Sequence, residues 1–127
     1  MGRLDSVAEF ASLDRGAWSA TAVKACEFAV GESGLEEETA IAALHRVKAG
    51  QADRVDAASM RELSRNLDET AWAAQEAGDD GRYDSLFRKS RAASALAFAL
   101  SDEPDEAIYE AAHAVGTPQD LIARLGT

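Results

Sequence analysis

Apolar residues recur along this chain at intervals of three and four positions, and no segment alternates apolar and polar residues in steps of two. The first spacing places side chains on one face of an α-helix, whereas alternation would place them on one face of a β-strand. The clearest example is the series Met60, Leu63, Leu67, Ala71 and Ala74. The pattern predicts an all-α fold, a compact antiparallel bundle of about six to seven helices with no sheet.

The chain has the length of a single domain. Its 127 residues contain no repeat, low-complexity tract or Pro/Ser-rich linker that would divide them, so we expect one helical domain over 1–127. Short connections between the periodic segments favour antiparallel neighbours. The expected helices lie near 5–13, 17–31, 35–49, 54–77, 82–101, 105–115 and 118–125.

Capping residues and glycines mark the expected helix ends. Ser6 with Glu9, and Ser33 with Glu36, have the spacing of a capping box, in which the hydroxyl and the carboxylate each accept a backbone N–H bond. Further starts are expected after Asp53 and Asp80 and at Thr117–Pro118. Stops are expected at Gly31, Gly50, Gly78 and Gly116.

The apolar stripes also predict which side chains are buried. The segment from Ala95 to Leu100 is apolar all round, which is typical of a helix at the centre of a domain. In the third helix the expected inner face is Ile41, Leu44 and the stem of Lys48. The predicted core comprises Leu63, Leu67, Leu86, Phe87, Leu96, Phe98, Ile108 and Leu121.

The composition excludes several classes of function. A net charge of −10 disfavours binding to nucleic acid or to anionic membranes, because those partners are also negatively charged. Cys26 is the one cysteine and is expected to be a small buried hydrophobe. The first ten residues lack the apolar run of a secretory signal, and no stretch has the roughly 20 apolar residues of a membrane helix. We therefore expect a cytoplasmic protein.

One motif has the spacing of a metal site. Glu110 and His113 match the Glu-x-x-His pattern of di-metal helical bundles, but that site needs a second copy, and Ala42 precedes His45 by three residues. A helical wheel places Glu110 and His113 on a solvated face. With two histidines and one cysteine, a Cys/His zinc site also lacks ligands. We expect no metal and no cofactor.

The local basic cluster is Arg88, Lys89 and Arg91. The three side chains are scattered around the helix, so we expect them to pair with carboxylates of neighbouring helices. Binding of a phosphate or nucleotide is the alternative interpretation of this cluster. No glycine-rich phosphate loop accompanies it.

Trp72 is the most informative position for function. It lies roughly 140° around the helical wheel from the apolar stripe of its own helix, taking about 100° per residue. Its face carries Arg61, Arg65, Asp68 and Glu76. A tryptophan among charged residues is typical of an interface hot spot, so these five residues are the candidate partner-binding set. The competing interpretation is a two-sided central helix whose Trp72 is covered by a terminal helix.

These observations favour a non-catalytic acidic helical protein that binds a macromolecular partner, for which a basic protein is the expected class. An immunity protein or antitoxin would suit this description, and so would an adaptor that forms homo-oligomers. The alternative is a small all-α enzyme or ligand-binding protein with its site assembled between helices. No catalytic residue is assigned.

Overall fold

The computed structural model describes residues 15–125, and within that range the chain is a bundle of α-helices without a β-strand. A short 3-10 turn at Arg15–Ala17 leads into the first helix. The helices are α1 (Trp18–Ser33), α2 (Glu38–Lys48), α3 (Arg54–Glu76), α4 (Asp80–Leu100), α5 (Pro104–Val115) and α6 (Pro118–Leu125). The predicted all-α bundle is confirmed, while the expected helix at 5–13 and its capping box from Ser6 to Glu9 lie outside the described residues. None of the described helices is both long enough and apolar enough to cross a bilayer.

Side-chain caps fix three of the helix starts. Asp53 accepts hydrogen bonds from the amides two and three residues further on, at 2.9 and 3.0 Å, as the sequence predicts. Thr117 and Asp120 cap α6 reciprocally, each side chain accepting from the backbone N–H of the other residue. At α4 the cap is Asp79, one residue before the predicted Asp80.

The predicted capping box from Ser33 to Glu36 is wrong. Ser33 is the last residue of α1, and its hydroxyl donates to the carbonyl of Val30 at 3.4 Å. Gly34 then takes φ +73°, and the amide of Leu35 reaches back to the same Val30 carbonyl at 3.3 Å. This arrangement ends a helix and requires a residue that tolerates positive φ. Gly34 therefore makes Ser33 the last residue of α1 and not the cap of the next helix.

The second half of α4 lies at the centre of the bundle, as the apolar run from Ala95 to Leu100 predicts. α4 contacts α1, α2, α3 and α5. Its buried residues include Ala92, Ala93, Ala95, Leu96, Ala97 and Leu100. Because alanine side chains take little space, the neighbouring helix axes can approach closely, and four helices fit around one.

Half of the predicted core is buried. Leu67, Leu96, Ile108 and Leu121 are buried as expected. Leu63, Leu86, Phe87 and Phe98 are half-buried instead. Many of the residues at the centre are alanines, which let the helix axes pack closely, and Leu63, Leu86 and Phe98 pack against this core from its edge.

The predicted inner face of α2 is confirmed at Leu44, which packs half-buried against the core, and is wrong at Ile41 and Lys48. Ala40, Ala43 and Val47 face the core, whereas Ile41 is 38% exposed and Lys48 is exposed. α2 packs on α4, which is lined with alanines, and small residues allow the closest contact there. Side-chain hydrophobicity alone could not show this preference.

Candidate functional site

A network of buried and half-buried polar side chains joins α3, α4 and α5. Its centre is Arg91 of α4, whose guanidinium donates to Asp68 of α3 at 3.0 and 3.2 Å and to Glu110 of α5 at 3.1 Å. Arg91 also donates to the hydroxyl of Ser90 at 3.0 Å. The expectation that Arg91 pairs with carboxylates of neighbouring helices is confirmed. We call this set, together with Ser64, the Arg91 network.

Two buried serines complete the network and fix the register of α3 against α4. Ser90 Oγ lies 2.9 Å from both the hydroxyl and the backbone carbonyl of Ser64. A carbonyl only accepts, so Ser90 donates its one proton to the Ser64 carbonyl, and the Ser64 hydroxyl donates to Ser90. Ser90 therefore donates one hydrogen bond and accepts two, one of them from Arg91. Both hydroxyls are held by these bonds.

The predicted solvated position of Glu110 is wrong. Its exposure is 4%, and α5 contacts α1, α4 and α6, so nearly every face of this helix is covered. The Glu110 carboxylate forms an ion pair with the Arg91 guanidinium and does not lie on the surface. His113 is half-buried, with Nδ1 3.0 Å from the carbonyl of Tyr109 and its ring beside the Tyr109 ring. Within residues 15–125 no group of three or more His, Cys, Asp or Glu side chains is placed to hold a metal ion.

The other members of the basic cluster behave differently from Arg91. Arg88 pairs with Asp84 on its own helix, 3.3 Å away and largely in solvent. Lys89 is half-buried. Among the helices that the structure describes, Arg91 is the one member of the cluster that pairs with carboxylates of other helices, and the same expectation is wrong for Arg88.

Cys26 is fully buried, as predicted. Burial raises the pKa of its thiol to about 12, and the negative charge of the nearby Glu27 carboxylate adds to the increase. The group is consequently a neutral thiol at physiological pH, without the thiolate that nucleophilic chemistry requires.

The five candidate partner-binding residues lie along the outer face of α3, and we call them the α3 stripe. Trp72 is 57% exposed, so the covered, two-sided interpretation does not hold among the described residues. Arg61, Arg65 and Glu76 are also exposed. Asp68 is the exception, because its carboxylate is half-buried and bound to Arg91.

The structure divides the α3 stripe into two regions. Arg61, Arg65 and Asp68 line a groove between α3 and α4, whereas Trp72 and Glu76 are not among its lining residues. Trp72 follows Arg61 by eleven positions, which is about 16 Å along a helix. The sequence could place all five residues on one face, but it could not show that three of them line a groove and two do not.

The groove itself could not be found from the sequence. Its volume is about 290 Å³, and α4 contributes its opposite wall. The lining residues are Arg61, Ser64, Arg65 and Asp68 from α3 and Ser94, Ala97 and Phe98 from α4. The small side chains of Ser64, Ser94 and Ala97 leave the space between the two helices open. The one sequence feature that hints at the groove is the presence of two serines, Ser90 and Ser94, on an otherwise apolar face of α4.

Comparisons with known proteins give no assignment, because neither a family model, nor a curated protein, nor a solved structure matches the chain.

Proposed function

We propose that this protein is a non-catalytic binding protein that engages a macromolecular partner through the region of α3 around Trp72. The observation that carries the proposal is the 57% exposure of a tryptophan near the C-terminal end of α3, a helix whose opposite face is buried. Large aromatic side chains are normally withdrawn from solvent, and tryptophan is the residue most enriched at the energetic centres of protein interfaces.

The charges around Trp72 favour a basic partner. Glu69 and Glu76 are exposed and lie three and four residues from Trp72, so their side chains flank the indole on the helix surface. The chain as a whole carries a net charge of −10, which would speed its encounter with a positively charged protein. A cytoplasmic immunity protein or antitoxin that blocks a basic toxin, or an adaptor, would use such a surface.

The first test measures whether Trp72 is accessible in solution. In a Trp18→Phe background, Trp72 is the remaining tryptophan, and we expect acrylamide to quench its fluorescence efficiently. A shielded indole would remove the basis of the proposal.

The second test measures binding. The wild-type protein and Trp72→Ala are immobilised, proteins from the source lysate are captured, and the affinity of each purified partner is then measured for both baits. We expect Trp72→Ala to weaken binding by at least about 30-fold, the effect of losing a hot spot of about 2 kcal/mol or more. Val55→Ala is the matched control, because Val55 is 74% exposed on the same helix, outside the α3 stripe. Equal affinities for wild type and Trp72→Ala would contradict the proposal.

A further inference from the structure

The groove between α3 and α4 has an apolar floor with two arginines at one wall. Ala97 is buried and Phe98 is half-buried along the groove. Although most lining residues are polar, most of the surface that they expose to the groove is apolar. Arg61 and Arg65 are one helical turn apart on α3, so their Cβ atoms are about 5–6 Å apart and both side chains can reach the same group.

Arg61 and Arg65 have no carboxylate partner among the described residues, as is also true of Arg54 and Arg82, which do not line this groove. Within residues 15–125 the guanidinium groups of Arg46, Arg88, Arg91 and Arg124 all form ion pairs. Arg61 and Arg65 form none with the described residues, although the chain contains ten more acidic than basic residues. An excess of carboxylates has therefore not neutralised the wall of the groove.

Of the other polar side chains of the lining, Ser64 and Asp68 already have partners. The Ser64 hydroxyl is bonded to Ser90, and the Asp68 carboxylate is bonded to Arg91. Across the groove and the adjoining Arg91 network, Arg61, Arg65 and Arg91 supply three positive charges against the two negative charges of Asp68 and Glu110. The net charge of this region is thus +1. The positive charges without a carboxylate partner are those of Arg61 and Arg65, at the groove.

We propose that the α3–α4 groove binds a small aliphatic monocarboxylate. Its carboxylate accepts hydrogen bonds from Arg61 and Arg65, since a guanidinium matches the geometry of a carboxylate. Its alkyl chain lies along Ala97 and Phe98, where it is withdrawn from water. The volume of about 290 Å³ lies at the lower end of the range for small-molecule sites, which fits a short chain. The single negative charge of a carboxylate balances the net charge of +1 of the region, whereas the negative charge of a phosphate ester would be larger than +1.

This site is separate from the proposed partner surface, because Trp72 does not line the groove. The two proposals can therefore fail independently. The carboxylate site also accounts for Arg61 and Arg65, which an interface with a basic protein would leave facing like charges.

The experiment uses the full chain labelled with ¹⁵N and titrated with sodium octanoate in a two-dimensional amide NMR spectrum. We expect saturable shifts confined to the amides of residues 61–68 and 94–98. Octan-1-ol has the same chain without the charge, and acetate has the charge without the chain. We expect each of these probes to bind about ten-fold or more weakly than octanoate, since the ligand needs both features.

Three variants distinguish the site from general charge effects. Arg61→Ala/Arg65→Ala should weaken octanoate binding about ten-fold or more. Lys24→Ala/Lys48→Ala removes the same charge from exposed positions on α1 and α2 and should leave binding unchanged. Trp72→Ala should also bind octanoate normally, which separates this result from the partner test.

Each contrary outcome overturns the proposal. Octanol binding as tightly as octanoate would show that the guanidinium groups are not involved. Equal affinity of the double arginine variant would show the same. Shifts spread over the molecule, or no saturation, would show that the groove is not a site.

Discussion

Removing the Arg91 guanidinium is the most direct perturbation of the buried network. Arg91→Met keeps a long unbranched side chain but deletes the hydrogen bonds to Glu110, Asp68 and Ser90. Asp68 is partly accessible and can recover water, since 24% of its side chain is exposed. Glu110 cannot recover water in this way, because 5% of its side chain is exposed, and it loses its ion pair with Arg91. The cost therefore arises chiefly from a carboxylate left in the interior.

The magnitude follows from the burial of Glu110. Breaking a buried ion pair by removing one partner costs about 3–5 kcal/mol. This is a large share of the roughly 5–15 kcal/mol by which domains are stable. With a urea dependence of about 2 kcal/mol per molar, the midpoint of unfolding should fall by about 1.5–2.5 M.

The assay is urea unfolding followed by circular dichroism at 25 °C, with two comparison variants. Arg88→Met breaks the exposed pair with Asp84 and should cost less than about 1 kcal/mol. Arg91→Met/Glu110→Met removes both buried charges. It should be more stable than Arg91→Met alone, because an apolar pair of similar volume avoids the cost of burying ions.

Two results would refute this reasoning. The first is a loss of stability in Arg91→Met no larger than that in Arg88→Met. The second is a double variant less stable than the single Arg91→Met variant, which would mean that Glu110 is stabilised by something other than its ion pair with Arg91.

Three further predictions concern the core, a helix end and the cysteine. Leu96→Ala should cost about 2–5 kcal/mol in urea unfolding because Leu96 is fully buried, and more than Phe98→Ala because Phe98 is half-buried; the reverse order would contradict the packing described above. Gly34→Ala should destabilise the protein by about 1 kcal/mol and lower its melting temperature, because Gly34 has φ +73°. Gly31→Ala should stabilise it by about 1 kcal/mol and raise the melting temperature, because Gly31 lies inside α1 with open space around it. Cys26 should react with a thiol reagent such as dithionitrobenzoate at pH 8 only in denaturant, because its pKa of about 12 and its burial leave no accessible thiolate; rapid labelling of the native protein would disprove this.

The helices could be predicted from the sequence because their causes are local. Asp53 and Thr117 cap helices through bonds to residues two or three positions away, and the three-to-four spacing in α3 identifies its buried face. The angle of Trp72 relative to the apolar stripe of its own helix left two outcomes open, exposure to solvent or cover by a terminal helix, and the structure shows the side chain 57% exposed. The wrong assignment of Ser33 shows the limit of this approach, because a Ser-Gly pair is compatible with either end of a helix until the φ of the glycine is known.

The chemistry of the candidate sites was decided only by the tertiary structure. A helical wheel gives the angles between side chains on one helix, but it does not tell how many sides of that helix are covered. α5 is enclosed by three neighbours, so Glu110 is buried on a face predicted to be solvated, and Arg91 meets it from another helix. The groove likewise exists because small residues of α3 and α4, about thirty positions apart in the chain, face each other there. Both features arise from the packing of whole helices, to which the spacing within any one segment contributes no information.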